Sequence, residues 1–439
     1  RDLHSFPTRR SSDLVGGETI TAVYQIVTPM FIGDALQEAH GITVNSFKGA
    51  LRFWWRALVW GRIRSSASND AEALKILHEE EALLFGSSAI NPQTEKIYGK
   101  GRLAIQLTKS ALRPLSTEEL EREYNAHDNG AAYALGQGLL KRIKRTGTEH
   151  AHSVYLRTAL KPEESFTVTL SFNKFGANKE GTGEKIENQI NELKQSLFLL
   201  GTLGGLGSKG RRGLGSIAIR SLSGRKIPDT AEDLLDTLAN IPFCGVLAKK
   251  PATVLAKSTG NNPWKALKAT NHTMQMFRGW GFRNRKGAHM IGNSEANHTS
   301  YPQKQTDHDL VYQFLSATKP ITLPSSFAFG LPRGYGLANN NNRRELKFEP
   351  KGLEDDDKRS RRASPVLVHI HQFTQEDVLS LQTIFHCPLF PSTDTVVVSE
   401  KIDDKFKEAH RVSLKGYKSE ILQEYQKYLA RNDWEQLSS

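Results

Sequence analysis

The chain has 439 residues, with 59 Lys+Arg against 47 Asp+Glu and a formal net charge of +12. That length exceeds one ordinary domain and implies two, with insertions, and 38% hydrophobic residues suffice for a core in each. So one-sided a charge favours a polyanionic partner, nucleic acid first. Cys244 and Cys387 stand alone without a CxxC, which argues against a disulfide framework or a structural zinc and fits a reducing cytoplasm. No apolar run approaches the roughly 18 residues that a membrane span needs.

Residues 1–14, RDLHSFPTRRSSDL, have basic residues but no apolar stretch, and they resemble a translated sequencing adapter, so they stand outside the fold. Glu18 to Ile32 reads as a strand. Ser46 is a candidate N-cap for a helix over about 47–60, and a second helical stretch covers about 69–85. Gly101 to Leu107 alternates as a strand does, and 109–150 reads as an irregular insertion with helical pieces. Ser165 to Phe172 is another alternating strand. A helix follows from Thr182, with Ile186, Ile190, Leu193 and Leu197 at helical spacing, and then a strand over Gly215 to Leu222. The order strand, helix, strand, strand, helix, strand is the ferredoxin-like split pattern.

Pro228 to Pro242 reads as helix and linker into a second, more decorated α+β half. Expected there are a strand near Ala252 to Ala256, a helix at about 307–316 and a polar excursion at 336–363. Further on come a strand over Pro365 to Ile370, a helix at about 374–386 and a final helix over Ser419 to Leu437. The expected division is 15–227 and 228–439.

Residues 201–215, GTLGGLGSKGRRGLG, hold seven glycines and three cations, Lys209, Arg211 and Arg212. Gly204, Gly205, Gly207, Gly210, Gly213 and Gly215 let backbone approach a ligand closely, and the cations suit phosphates. Gly205, Gly207 and Gly210 spell GxGxxG, but the order is helix then strand, the reverse of a dinucleotide fold, and no GK[ST] is present. The loop therefore points to a polyanion rather than a mononucleotide.

In SFKGALRFWWRAL, Ser46 to Leu58, the cations Lys48, Arg52 and Arg56 are spaced i, i+4, i+8 on one helix face. Phe47, Leu51, Trp54, Trp55 and Leu58 form an adjacent apolar stripe. Cations flanked by aromatics suit single-stranded RNA, while the tryptophans read as core. A third cluster, FRGWGFRNRK, carries Arg278 and Arg283 among aromatics.

TPMFIGDA (Thr28 to Ala35), SFKGALRFWWRAL, LFGS (Leu84 to Ser87) and RRASPV (Arg361 to Val366), with the glycine loop, resemble the RAMP-superfamily first subunit of the type III-B CRISPR effector, the Cmr complex. The resemblance implies two ferredoxin-like (RRM-like) domains and a non-catalytic role holding guide or target RNA near the guide 3′ end. The implied partners are the CRISPR guide RNA, a single-stranded target RNA and the other Cmr subunits, with no cofactor and a cytoplasmic location. Lys48, Arg52 and Arg56 carry over as RNA contacts.

Some RAMP relatives are metal-independent endoribonucleases that use a His, a Tyr and a Lys. Tyr24, His40 and Lys48 stand in that order and form the alternative, with His40 as general base. His369 and His371 have a spacing that can bind metal but no evident third ligand, so no metal site is expected.

Overall fold

The structure is a computed structural model. It describes residues 18–437 except 34–37, 91–94, 96, 110–111, 127, 137, 144–151, 173–181, 279–281, 284–288, 292–293, 296–310, 312–313, 315–322, 332, 340–341, 351–361, 375–376, 389–394, 404 and 414–419. The adapter-like tail and most of the helix expected at 307–316 lie outside the described residues.

β1 (Glu18–Ile26) buries every second residue, Ile20, Ala22, Tyr24 and Ile26, as an antiparallel strand with one face on a core must. α1 (Val44–Ser66) starts earlier than Ser46: Thr43 is the N-cap, its hydroxyl accepting from the Ser46 amide at 3.1 Å. α2 (Asp70–Phe85) is capped by Asn69, which accepts from the Glu72 amide. β2 (Leu103–Lys109) follows, then the insertion, which contains α3 (Thr117–Glu123), with a Ser116/Glu119 capping box, and α4 (Asn129–Leu135). β3 (Ser165–Phe172), α5 (Thr182–Leu203) and β4 (Ile217–Leu222) complete the half.

The sheet runs β4-β1-β3-β2, all antiparallel, the strand order of a split βαβ fold. α1 and α5 pack on each other, and Phe47, Trp54, Trp55, Leu193 and Leu197 share one core.

The second half begins with α6 (Ala231–Ala239), β5 (Thr253–Ser258) and α7 (Pro263–Arg278). Next come β6 (Arg333–Asn339), β7 (Asn342–Pro350), β8 (Val366–Gln372) and β9 (Val378–Ile384). It ends with β10 (Thr395–Ile402), β11 (Lys405–Ser413), α8 (Glu420–Ala430) and β12 (Glu435–Gln436). One sheet runs β12-β5-β9-β8, again fourth, first, third, second among its own strands.

Two expectations fail here: the helix at 374–386, and the last part of the final helix, which ends at Ala430 before the strand β12. Residues 374–386 hold β9, not a helix: every residue of Val378–Ile384 is buried, and a short apolar run buried on both sides does not reveal its period. The crossover helix is α7, which the sequence reading did not place. Within the excursion at 336–363, the described residues hold the end of β6 and β7, which join β10 and β11 in one sheet over a separate core of Leu346, Phe348, Val396 and Val398.

The halves share their packing. Leu367, Leu381 and Phe385 belong to the same core as Trp54 and Leu197. α4, from the insertion of the first half, lies on α7 of the second, and a Cβ on Gly130 would run into the Lys268 carbonyl.

Candidate nucleic-acid interface

The glycine-rich segment is the joint between the halves. The Val368 amide donates to the Arg211 carbonyl at 3.0 Å, so the loop adds itself to β8. The Leu206 amide donates to the Gly215 carbonyl at 2.9 Å and the Ser208 amide to the Phe31 carbonyl at 2.7 Å, which closes the loop on itself and on the first half. Gly213 has φ +83°, and a Cβ there would stand 2.8 Å from Leu267 Cδ1 and 3.0 Å from Val368 Cγ1. Gly215, at φ +63°, has the Leu206 carbonyl against it. Gly204 backs onto the Trp54 indole, Gly205 onto Gly215, and Gly207 onto Phe31. These five glycines serve close packing rather than a phosphate cradle; only Gly210 has ordinary space around its α-carbon.

Beside this joint lies a cleft of about 950 Å³. Lys209, Arg211 and Arg212 line it from the first half, and Arg278 and Arg362 from the second; among the described residues no carboxylate lines it. Its apolar wall includes Phe53, Met274 and Phe329.

Carbonyls and aromatic rings hold the arginines in place. Arg211 donates to the Ser364 carbonyl at 2.6 Å and lies over the Phe53 ring, 5.3 Å from its centre. Arg212 donates to the Tyr133 carbonyl and stacks on that ring at 4.9 Å. Arg278 lies 4.5 Å from the centre of Phe329. Arg362 donates to the Pro388 carbonyl at 2.7 Å. Aromatic faces and carbonyls orient a guanidinium without cancelling its charge.

The charges of Lys209, Arg211, Arg212 and Arg362 act on one another. Burial lowers the pKa of Lys209, and the neighbouring charges of Arg212 and Arg157 lower it further. Burial and Arg362 do the same to Arg211, which stays protonated in any case. An anion entering the cleft would relieve that repulsion.

The α1 cations are elsewhere. Arg52 and Arg56 both donate to the buried carboxylate of Glu81 on α2, and Lys48 donates to the Phe85 carbonyl at 2.5 Å, at the negative end of that helix. The expected strip of solvated cations is instead a clasp between α1 and α2. It faces away from the cleft, which α1 lines with Ala50, Phe53 and Trp54. The tryptophans are core, as expected.

Arg278 joins the cleft. The side chain of Arg283 lies outside the described residues, though Phe282–Arg283 is a short strand. Arg362 was missed as a site residue: in sequence it is one cation in a basic run, and only the fold carries it to the glycine loop. Tyr133 and Phe329, which hold arginines, gave no signal at all.

The first sheet does not offer the usual RRM platform. Its outward positions are Thr21, Val23 and Gln25 on β1 opposite Thr169, Thr167 and Ser165 on β3, with no aromatic ring for a base to stack on.

The alternative catalytic set is not assembled. Tyr24 is fully buried, its hydroxyl donating to the Leu197 carbonyl at 3.0 Å, and burial raises its pKa well above the ordinary phenol value. Lys48 is spent on Phe85, and His40 is exposed beside Glu38 at 3.2 Å. His369 and His371 are buried between the halves with ring centres 5.7 Å apart, and no group of three metal-ligating residues occurs among the described residues.

A protein of two split-βαβ halves, with a cationic cleft at a glycine-rich joint, is the class that fold and site define. Residues 23–218 match the model of the RAMP superfamily. None of the curated proteins matches the chain. Among solved structures, it is similar to the apo crystal structure of Cmr1 from Pyrococcus furiosus, at 17% identity and a TM-score of 0.48, covering 96% of this chain and 98% of that one. It is also similar to a chain of the type III-B Cmr-beta complex bound to cognate target RNA, at 11% identity and a TM-score of 0.45, covering 94% and 99%.

Proposed function

We propose that this chain is a non-catalytic, RNA-binding subunit of a type III-B CRISPR ribonucleoprotein, holding guide or target RNA beside other Cmr subunits in RNA-guided antiviral defence. One observation carries the RNA-binding part: five cations from both halves line one cleft, and among the described residues no carboxylate lines it. Phosphate oxygens are the complement of such a group, and Phe53 and Phe329 add an apolar wall on which a base can rest. The residues quoted for the resemblance, from TPMFIGDA to RRASPV, support the placement in the effector. Two free cysteines suit a reducing cytoplasm. The non-catalytic role is supported by Tyr24, whose hydroxyl is too deep to touch a strand.

The test is titration of a labelled single-stranded RNA of guide length, without metal, at two salt concentrations. Wild type binds in a salt-sensitive way and leaves the RNA intact. Arg362→Gln with Arg278→Gln weakens binding and flattens the salt dependence by about 1.4, two phosphate contacts at ~0.7 each. Metal-free cutting that His40→Ala abolishes overturns the non-catalytic reading.

A further inference from the structure

A second hollow, of about 730 Å³, lies further along the same helix. Its floor is Leu58, Phe243, Cys244 and Ala248, and its rim carries Lys249 and Lys250 with Arg64. On α1 the cleft uses Ala50, Phe53 and Trp54 and the hollow uses Leu58, Gly61 and Ser65. The spacings of three, four and eight residues put all six on one stripe. From Ala50 to Gly61 is about 16 Å along the axis, at ~1.5 Å per residue. Beneath the stripe Phe53 meets Phe385 at 5.7 Å and Phe385 meets Phe243 at 6.1 Å, and both Phe385 and Phe243 are buried, which gives the stripe a rigid base.

The lysines sit on a loop with a fixed shape. The Ala252 amide donates to the Phe243 carbonyl at 2.9 Å and closes it, the Cys244 amide donates to the Ala57 carbonyl at 2.8 Å, and the Trp60 indole donates to the Ala248 carbonyl at 3.2 Å. Arg62 and Arg64 on the rim are matched by Glu80, Glu192 and Asp70. Lys249 and Lys250 are exposed and form no ion pair among the described residues. The pKa of His386 is lowered to about 4 by burial and then by Lys250, as expected beside an unneutralised ammonium.

We infer that the hollow framed by Leu58, Gly61, Phe243, Lys249 and Lys250 is a second seat for the same single-stranded RNA, reached along the α1 stripe that both hollows share. The inference rests on the RNA reading of the cleft. The two lysines hold phosphate, and the apolar floor receives a base. Gly61 keeps the floor open: a Cβ there would meet only Cys244 Sγ, at 3.9 Å.

The test compares labelled oligouridylates of about 4 and about 16 nucleotides, the span of common single-strand site sizes, on the full chain. Two variants probe charge and volume separately: Lys249→Ala/Lys250→Ala, and Gly61→Leu, which fills the hollow while raising helix propensity. The expected result is a several-fold loss for the long RNA with both variants and no change for the short one. The lysine variant also loses about 1.4 of the salt slope, at ~0.7 per contact. Long-RNA binding that neither variant alters overturns the second seat while leaving the cleft reading intact. If folded wild type binds neither RNA, the cleft reading falls with it. Long-RNA binding that stays normal while an oligoglutamate peptide binds wild type and not the variants also overturns the proposal, and gives the hollow to an acidic protein partner.

Discussion

The carbonyl of Arg211 accepts a hydrogen bond from the amide of Val368 at 3.0 Å, so a loop of the first half is a short parallel partner of a strand in the second. This single bond explains how the glycine loop acts. It ties the backbone to the second sheet and leaves the Arg211 and Arg212 side chains turned into the cleft.

Within that loop, Gly213→Ala is expected to cost about 2–5 kcal/mol. The left-handed backbone accounts for ~1–2 kcal/mol and the overpacking of Leu267 and Val368 for ~1–3 kcal/mol. Gly210→Ala, where the nearest neighbour of a new Cβ is 3.6 Å away, is expected to stay within about 0.5 kcal/mol. The midpoints of denaturant unfolding for the two variants check this contrast.

Glu81→Ala removes the shared partner of Arg52 and Arg56 and is expected to destabilise by about 1–3 kcal/mol. The loss is smaller than for a fully buried pair because the arginine side chains remain 35% and 39% exposed. Burial acts to raise the Glu81 pKa, but hydrogen bonds and charge from Arg56 and Arg52 outweigh it and hold it below the ordinary 4.5. A depressed folded pKa means the stabilisation is present above 4.5 and is lost as pH falls below it. Acid unfolding of wild type against Glu81→Gln should show a weaker pH dependence below 4.5 in the variant.

His369 and His371 work in a different pH window. Burial takes the His369 pKa down to about 4, and burial with the charges of His369 and Arg220 takes His371 well below the ordinary 6.5. Both are neutral when folded and protonate more readily when unfolded, so stability is full above about 6.5 and falls as pH drops toward 4. His371→Leu also removes a buried Nδ1 without a hydrogen-bond partner. It is expected to retain or slightly raise stability at pH 7 and to flatten the decline between 6.5 and 4, read by thermal unfolding across that range.

The two sets of cations should separate in paired measurements. Arg52→Ala/Arg56→Ala is expected to lower stability by about 1–2 kcal/mol, through loss of the pairing with Glu81, and to change RNA affinity little. Arg278→Gln/Arg362→Gln is expected to do the reverse. RNA affinity that collapses with Arg52 and Arg56 while the melting temperature stays put would return the binding surface to α1.

Alternation and helical spacing are local, so the sequence by itself determined the alternating strand β3, the aromatic stripe of α1, the amphipathic α5 and the split βαβ order of the first half. β9 escaped because burial on both faces erases the period that tells a strand from a helix; only its pairing with β8 and β5 decided it. Lys48, Arg52 and Arg56 were visible as cations on one face, but whether a cation meets solvent or a carboxylate depends on which helix packs there, and α2 brought Glu81. The cleft gathers residues from 50 to 367, and no local pattern encodes so long a contact. The net charge of +12 pointed to a polyanion; tertiary packing decided which five cations line one cleft together, because charge is additive along a chain and a cleft geometry is not.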